Sequence, residues 1–132
     1  METQAPYFTD EEKAAVSDFL AYAVRPPVEF TPKAFEVLPV EKRPVFIIQE
    51  LNGETEGIFY TLYASIDKDN PAAVLGAYIK AGLKGMINFR TADGQPVEFA
   101  VGADGYVSDT VLAAMNIHIR TAIKAVVLGG KD

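Results

Sequence analysis

Five stretches of the chain carry residue types that could do chemistry. Asp67-Lys-Asp-Asn70 spaces its oxygens like the opening of a calcium loop. The glycine required at the sixth loop position falls on Ala72, and the bidentate glutamate required at the twelfth falls on Tyr78. The cluster therefore reads as helix-capping polar residues. His118 is the only imidazole, and its neighbours one turn either way are Ala114 and Ala122, so it reads as a packing or helix-face residue rather than a base or ligand. Ser17, Ser65 and Ser108 lie outside any nucleophile-elbow pattern. Gly82-Leu-Lys-Gly85 lacks the spacing and the following helix of a phosphate-binding loop. Glu54 and Glu56 could cooperate as acid and base, but 18 acidic residues guarantee such neighbours without a function. With no cysteine there is no disulfide framework, thiol nucleophile or thiolate metal site. Residue chemistry thus names no catalytic, cofactor-binding or metal-binding position, and a non-enzymatic protein without cofactors is expected.

Composition narrows the partners. A net charge of −6 and a pI near 4.7 oppose the phosphate backbone, and the 12 basic residues are dispersed, with only Lys42 and Arg43 adjacent. Nucleic acid and anionic membranes are disfavoured. No apolar run reaches membrane-spanning length, and Glu2, Asp10, Glu11 and Glu12 stand where a secretory signal needs positive charge, so a cytoplasmic protein is expected.

The elements that would position any site are legible from periodicity. At 132 residues, 49% of them hydrophobic, the chain fits one domain with a real core, residues 1–8 forming a loose arm. Thr9-Asp-Glu-Glu12 matches a capping box, followed by an apolar stripe of Val16, Phe19, Leu20, Ala23 and Val24 that ends at Arg25-Pro26-Pro27. Val28–Phe30 and Phe35–Val37 alternate as short edge strands among prolines, and Pro44 to Leu51 reads as a buried strand with Phe46, Ile48 and Glu50 opposite Val45, Ile47 and Gln49. Residues 54–67 combine helical spacing with strand composition and are read as helix. Asn70-Pro71 opens a helix with Val74, Leu75, Tyr78, Ile79 and Leu83 on one face.

Gly82 and Gly85 offer positive-φ conformations where that helix should stop. Met86–Phe89 and Val97–Val101 then flank the Asp93-Gly94 turn as a β-hairpin, and Gly102-Ala-Asp-Gly105 is a second turn. Ser108 or Asp109 caps a terminal region divided at Asn116, with Val111, Leu112, Met115, Ile119, Ile123, Val126 and Val127 as its stripe and Gly129-Gly130 as its end. The expected fold is α+β: a single domain over 1–132 with a small antiparallel sheet or hairpin and four to five helices.

Between Val40 and Leu128 the chain resembles the tail assembly chaperones of long-tailed bacteriophages, particularly the HK97-type small tail proteins. The resemblance is carried by Glu41-Lys-Arg-Pro-Val-Phe-Ile-Ile-Gln-Glu-Leu-Asn-Gly53, by Ala81-Gly-Leu-Lys-Gly-Met-Ile-Asn-Phe89 with Asp93-Gly94 and Val97-Glu-Phe99, and by Val111-Leu-Ala-Ala-Met-Asn-Ile-His-Ile-Arg120. Met86 stands where family members often carry Trp. The resemblance implies a phage or prophage late protein that binds the tape-measure protein, shields its apolar helices and recruits tail-tube subunits. It implies a homo-oligomer, a location in the bacterial host cytoplasm, absence from the mature virion, and a frameshift-extended form of the same chain, with which Gly129-Gly-Lys131 is compatible. On that reading the contact residues are Phe59, Tyr60, Tyr63, Tyr78 and the terminal helix face of Ile119 and Ile123. The competing readings are a structural tail component of the virion and a small ligand-binding domain or enzyme with a pocket near Asp67, Asp69 or His118.

Overall fold

The computed structural model describes residues 6–16 and 26–129. It has the expected α+β architecture, with five α-helices and a three-stranded antiparallel sheet among the described residues. The elements are α1 (Asp10–Val16), β1 (Val28–Phe30), β2 (Val45–Ile48), α2 (Gly53–Tyr63), α3 (Pro71–Gly82), β3 (Leu83–Ile87), α4 (Asp109–Ala113) and α5 (Ile117–Val127).

Local chemistry starts the helices as the sequence suggests. The Thr9–Glu12 capping box closes in both directions, with Thr9 N donating to Glu12 Oε1 at 2.9 Å and Glu12 N to Thr9 Oγ1 at 3.1 Å. These bonds hold the Glu12 carboxyl below the usual range. The stripe residues Phe19 to Val24 lie outside the described residues, and Val16 is exposed. Asn52, Asn70, Ser108 and Asn116 cap α2, α3, α4 and α5 by accepting from backbone amides in the first turn. Residues 54–67 are helical through Tyr63, because burial of Thr55 and Phe59 on one side suits the helical period.

The sheet has the order β1-β2-β3, which puts β1 at an edge as its flanking prolines suggested. On β2 the expected alternation is present: Phe46 and Ile48 are fully buried while Val45 and Ile47 are half-buried. Beyond the strand, Gln49 N donates to Gly82 O and Leu51 N to Val127 O, each at 2.8 Å. The chain thereby satisfies carbonyls at the C-terminal ends of α3 and α5, which have no partner inside their own helices. The main core lies between the inner sheet face, α3 and the two terminal helices. It contains the whole terminal stripe, Val111, Leu112, Met115, Ile119, Ile123, Val126 and Val127, together with Phe46, Ile48, Ile79 and Phe89.

Three expectations are corrected. Phe35 and Val37 are not in a strand: Lys33–Val37 is a 3-10 turn that begins after Pro32, whose fixed φ of −55° suits the start of a tight helical turn. Arg43 braces it, donating to Leu38 O at 2.9 Å and Glu36 O at 2.8 Å. The hairpin of Met86–Phe89 with Val97–Val101 is present only next to its turn, where Phe89 and Arg90 pair with Val97 and Pro96, and does not extend to Met86. β3 begins directly after α3 and pairs with β2, with Met86 opposite Phe46 on the face that packs on the core.

Asp93-Gly94 still forms a tight turn, closed by the Arg90–Pro96 bridge and by Val97 N donating to Phe89 O at 2.8 Å, and a second turn is closed by the Val101–Val107 bridge. Gly94 and Gly105 take positive φ in those turns, whereas Gly82 and Gly85 do not. Gly82 is required by close approach: a Cβ there would overlap Val127 and lie 3.1 Å from Gln49 O. Asn88, at φ 60°, ends β3 in the left-handed region and anchors that bend by donating to Glu41 O at 3.0 Å.

Candidate functional site

A second, smaller hydrophobic cluster is built where α2 rests on α3. Phe59, Ala77 and Ala81 form its buried centre, and Ile58, Leu62, Tyr63, Ile66 and Tyr78 pack around it half-buried. Alanines at 77 and 81 leave room on α3 for the large Phe59 ring. That ring stacks on Tyr78 with centroids 4.1 Å apart and planes inclined 19°. Tyr60 and Tyr63 each place their rings 5.4 Å from Phe59. Two lysines cover the polar side of the array: Lys68 Nζ lies 4.9 Å from the Tyr63 centroid and Lys124 Nζ 5.0 Å from that of Tyr78. Tyr78 belongs to the periphery of both clusters and joins them.

The six candidate contact residues therefore separate. Phe59, Tyr60, Tyr63 and Tyr78 come together as one aromatic array on α2 and α3. Within it Phe59 is buried, Tyr63 and Tyr78 are half-buried, and Tyr60 is 60% exposed. Ile119 and Ile123 are elsewhere, in the main core, with 9% and 0% exposure, so they offer nothing to a partner while the chain is folded. Sequence reasoning missed Lys68 and Lys124. Lys68 follows Tyr63 closely enough to be sought, but the Lys124–Tyr78 contact joins two helices far apart in the chain and leaves no local signal.

The positions that could do chemistry are dispersed. His118 is exposed on the first turn of α5, at an open groove of about 520 Å3 lined by Pro32, Ala34, Phe35, Asn116, Ile119, Thr121, Ala122 and Ala125, where no carboxylate accompanies it. Asp67 accepts from Asp69 N at 3.0 Å in the turn before α3, and Asn70 caps that helix. Ser108 caps α4, accepting from Val111 N. Lys80 is drawn to Asp104 at 3.4 Å and to Asp109 at 3.3 Å. Asp104 also accepts from Tyr106 N, and this bond, ahead of Lys80, holds its carboxyl below the ordinary range. The pair fastens the 102–108 turn and the start of α4 to α3. Among the described residues no three His, Cys, Asp or Glu side chains group as a metal site, and no helix is long and apolar enough to cross a membrane. Compared with protein-family models, with curated proteins and with solved structures, the chain matches none.

Proposed function

We propose that this chain is a non-enzymatic assembly chaperone of the kind long-tailed phages use to build their tails. On this reading it works in the bacterial host cytoplasm, binds apolar helical segments of the tape-measure protein, recruits tail-tube subunits, and acts as a homo-oligomer alongside a frameshift-extended form of itself. The observation that supports the reading is the aromatic array of α2. Its centre, Phe59, is held in place by stacking on Tyr78, while Tyr60 stands 60% exposed beside the half-buried Ile58, Leu62 and Tyr63. A rigid aromatic ridge of this sort can cover an apolar helix reversibly and at little entropic cost, since its own side chains are already ordered. The acidic surface keeps the free chaperone soluble between clients.

Co-expression with tape-measure segments tests the reading. Wild-type chain is expected to co-purify with apolar helical segments and to be absent from finished particles. Tyr60→Glu should lose the client with its fold intact, and Tyr60→Phe should keep it. Retention of client by Tyr60→Glu removes α2 as the binding surface, and recovery of the chain in purified particles replaces the chaperone with a structural tail component.

A further inference from the structure

We infer that the outer face of the three-stranded sheet is a two-fold interface between two copies of this chain. Register defines the face. Glu29 pairs with Ile47, Ile47 with Gly85, and Val45 with Ile87, so these side chains share the side opposite the buried Phe46 and Ile48. Val45, Ile47 and Ile87 belong to neither hydrophobic cluster, and Ile87 is 53% exposed. Gly85 has no side chain to cover its neighbour Ile47, which leaves a shallow apolar strip along the middle of the face.

The charges select the occupant. The register shift between Ile47 and Ile48 makes Lys84 the extra, unpaired residue of a bulge, exposed next to Gly85 at the β3 edge, while the exposed Glu29 stands at the opposite, β1 edge in the row of Ile47 and Gly85. A two-fold axis parallel to the strands lays β2 of one copy over β2 of the other and β1 over β3. Ile47 then meets Ile47, and each Glu29 faces the other copy's Lys84, twice per dimer. The face is complementary to itself in shape and in sign. The same bulged lysine opposes edge-to-edge strand pairing, so association proceeds through the face and not the edge. Three short strands present less than the roughly 800 Å2 per partner of a stable complex, so the dimer is concentration-dependent. This surface supplies the self-association contained in the proposed function but stands on the sheet alone, on residues that belong to no part of the α2 ridge.

Sedimentation velocity on the full chain, from micromolar to millimolar concentration, tests it. Wild type is expected to pass reversibly from monomer to dimer. Glu29→Lys and Lys84→Glu should each weaken the dimer about tenfold by placing like charges together, and combining the two should restore it to within about threefold of wild type. Ile87→Lys should abolish it. All three positions are exposed, so the variants are expected to fold, which circular dichroism would check. Tyr60→Glu should leave the dimer unchanged, which separates failure here from failure of the client-binding reading. A wild type that stays monomeric throughout overturns the inference, as does a double variant no tighter than the single ones. If the chain is monomeric and Ile87→Lys instead loses an apolar client, the face belongs to the client and the two-fold interface falls.

Discussion

Phe59 and Tyr60 are adjacent aromatic residues with opposite roles, and the difference is burial. Phe59 is 7% exposed and stacked on Tyr78, so Phe59→Ala should cost about 3 kcal/mol or more of folding stability, read from urea denaturation. Tyr60 is on the surface, and Tyr60→Glu should change the same quantity by no more than about 0.5 kcal/mol. Helical spacing places both on the helix read over 54–67, but only the position of α3 decides which of them is covered. Gly82 makes the same point about close approach. Its role is steric contact with Val127 and Gln49, and Gly82→Ala should destabilise by about 1–3 kcal/mol, enough to lower the melting temperature measurably. A reading of the local sequence sees a helix-ending glycine; the crowding comes from a segment some forty residues away and has no local trace.

At the scale of elements, helices were legible and strand partners were not. Caps and stripes are local, so Asn70, Ser108 and the break at Asn116 marked starts that the fold uses, and the stripe from Val111 to Val127 is buried throughout, whereas Asn52, which caps α2, is not among the starts read from the sequence. Pairing is a contest between distant segments. The local sequence pairs Met86 across the Asp93-Gly94 turn, and the structure sets it opposite Phe46 on β2, some forty residues earlier, a partner with no local trace. The aromatic array shows the same division, since Phe59, Tyr60 and Tyr63 could be grouped from one helix while Lys124 could not.

The Lys80–Asp104–Asp109 clasp is another pairing of this kind, and it titrates. Because the Asp104 carboxyl is held low in the folded chain, mainly by Tyr106 N–H, its contribution is complete above the ordinary aspartate range and is lost only as pH falls through the depressed value. An NMR titration should therefore find the Asp104 midpoint below that of a free aspartate. In Lys80→Met it should rise only part of the way back, since the backbone bond remains. A full return would assign the shift to the lysine instead.

Among the described residues, a large core lies under the sheet and a satellite cluster is joined to it through Tyr78. Such a division favours local opening, with α2 separating from α3 at a lower free energy than global unfolding. Hydrogen exchange should find amides of α2 less protected than those of β2 and α5; equal protection would make the two clusters one cooperative unit. The surface belongs to the same scale. The proposed client surface is the aromatic ridge and the inferred self-association surface is the apolar sheet face, so the two can be tested independently.

The bonds from Gln49 N to Gly82 O and from Leu51 N to Val127 O also set an order of events in time. β2 is made early in synthesis, yet the groups that receive the amides of Gln49 and Leu51, just after it, lie at the ends of α3 and α5. A growing chain can form α2 and α3 from local contacts, but it cannot close the main core until Val127 has been added. Until then Phe46 and Ile48 are without their cover. Ribosome-bound chains that stop short of α5 should be digested rapidly by protease at β2, and chains extended past Val127 should resist.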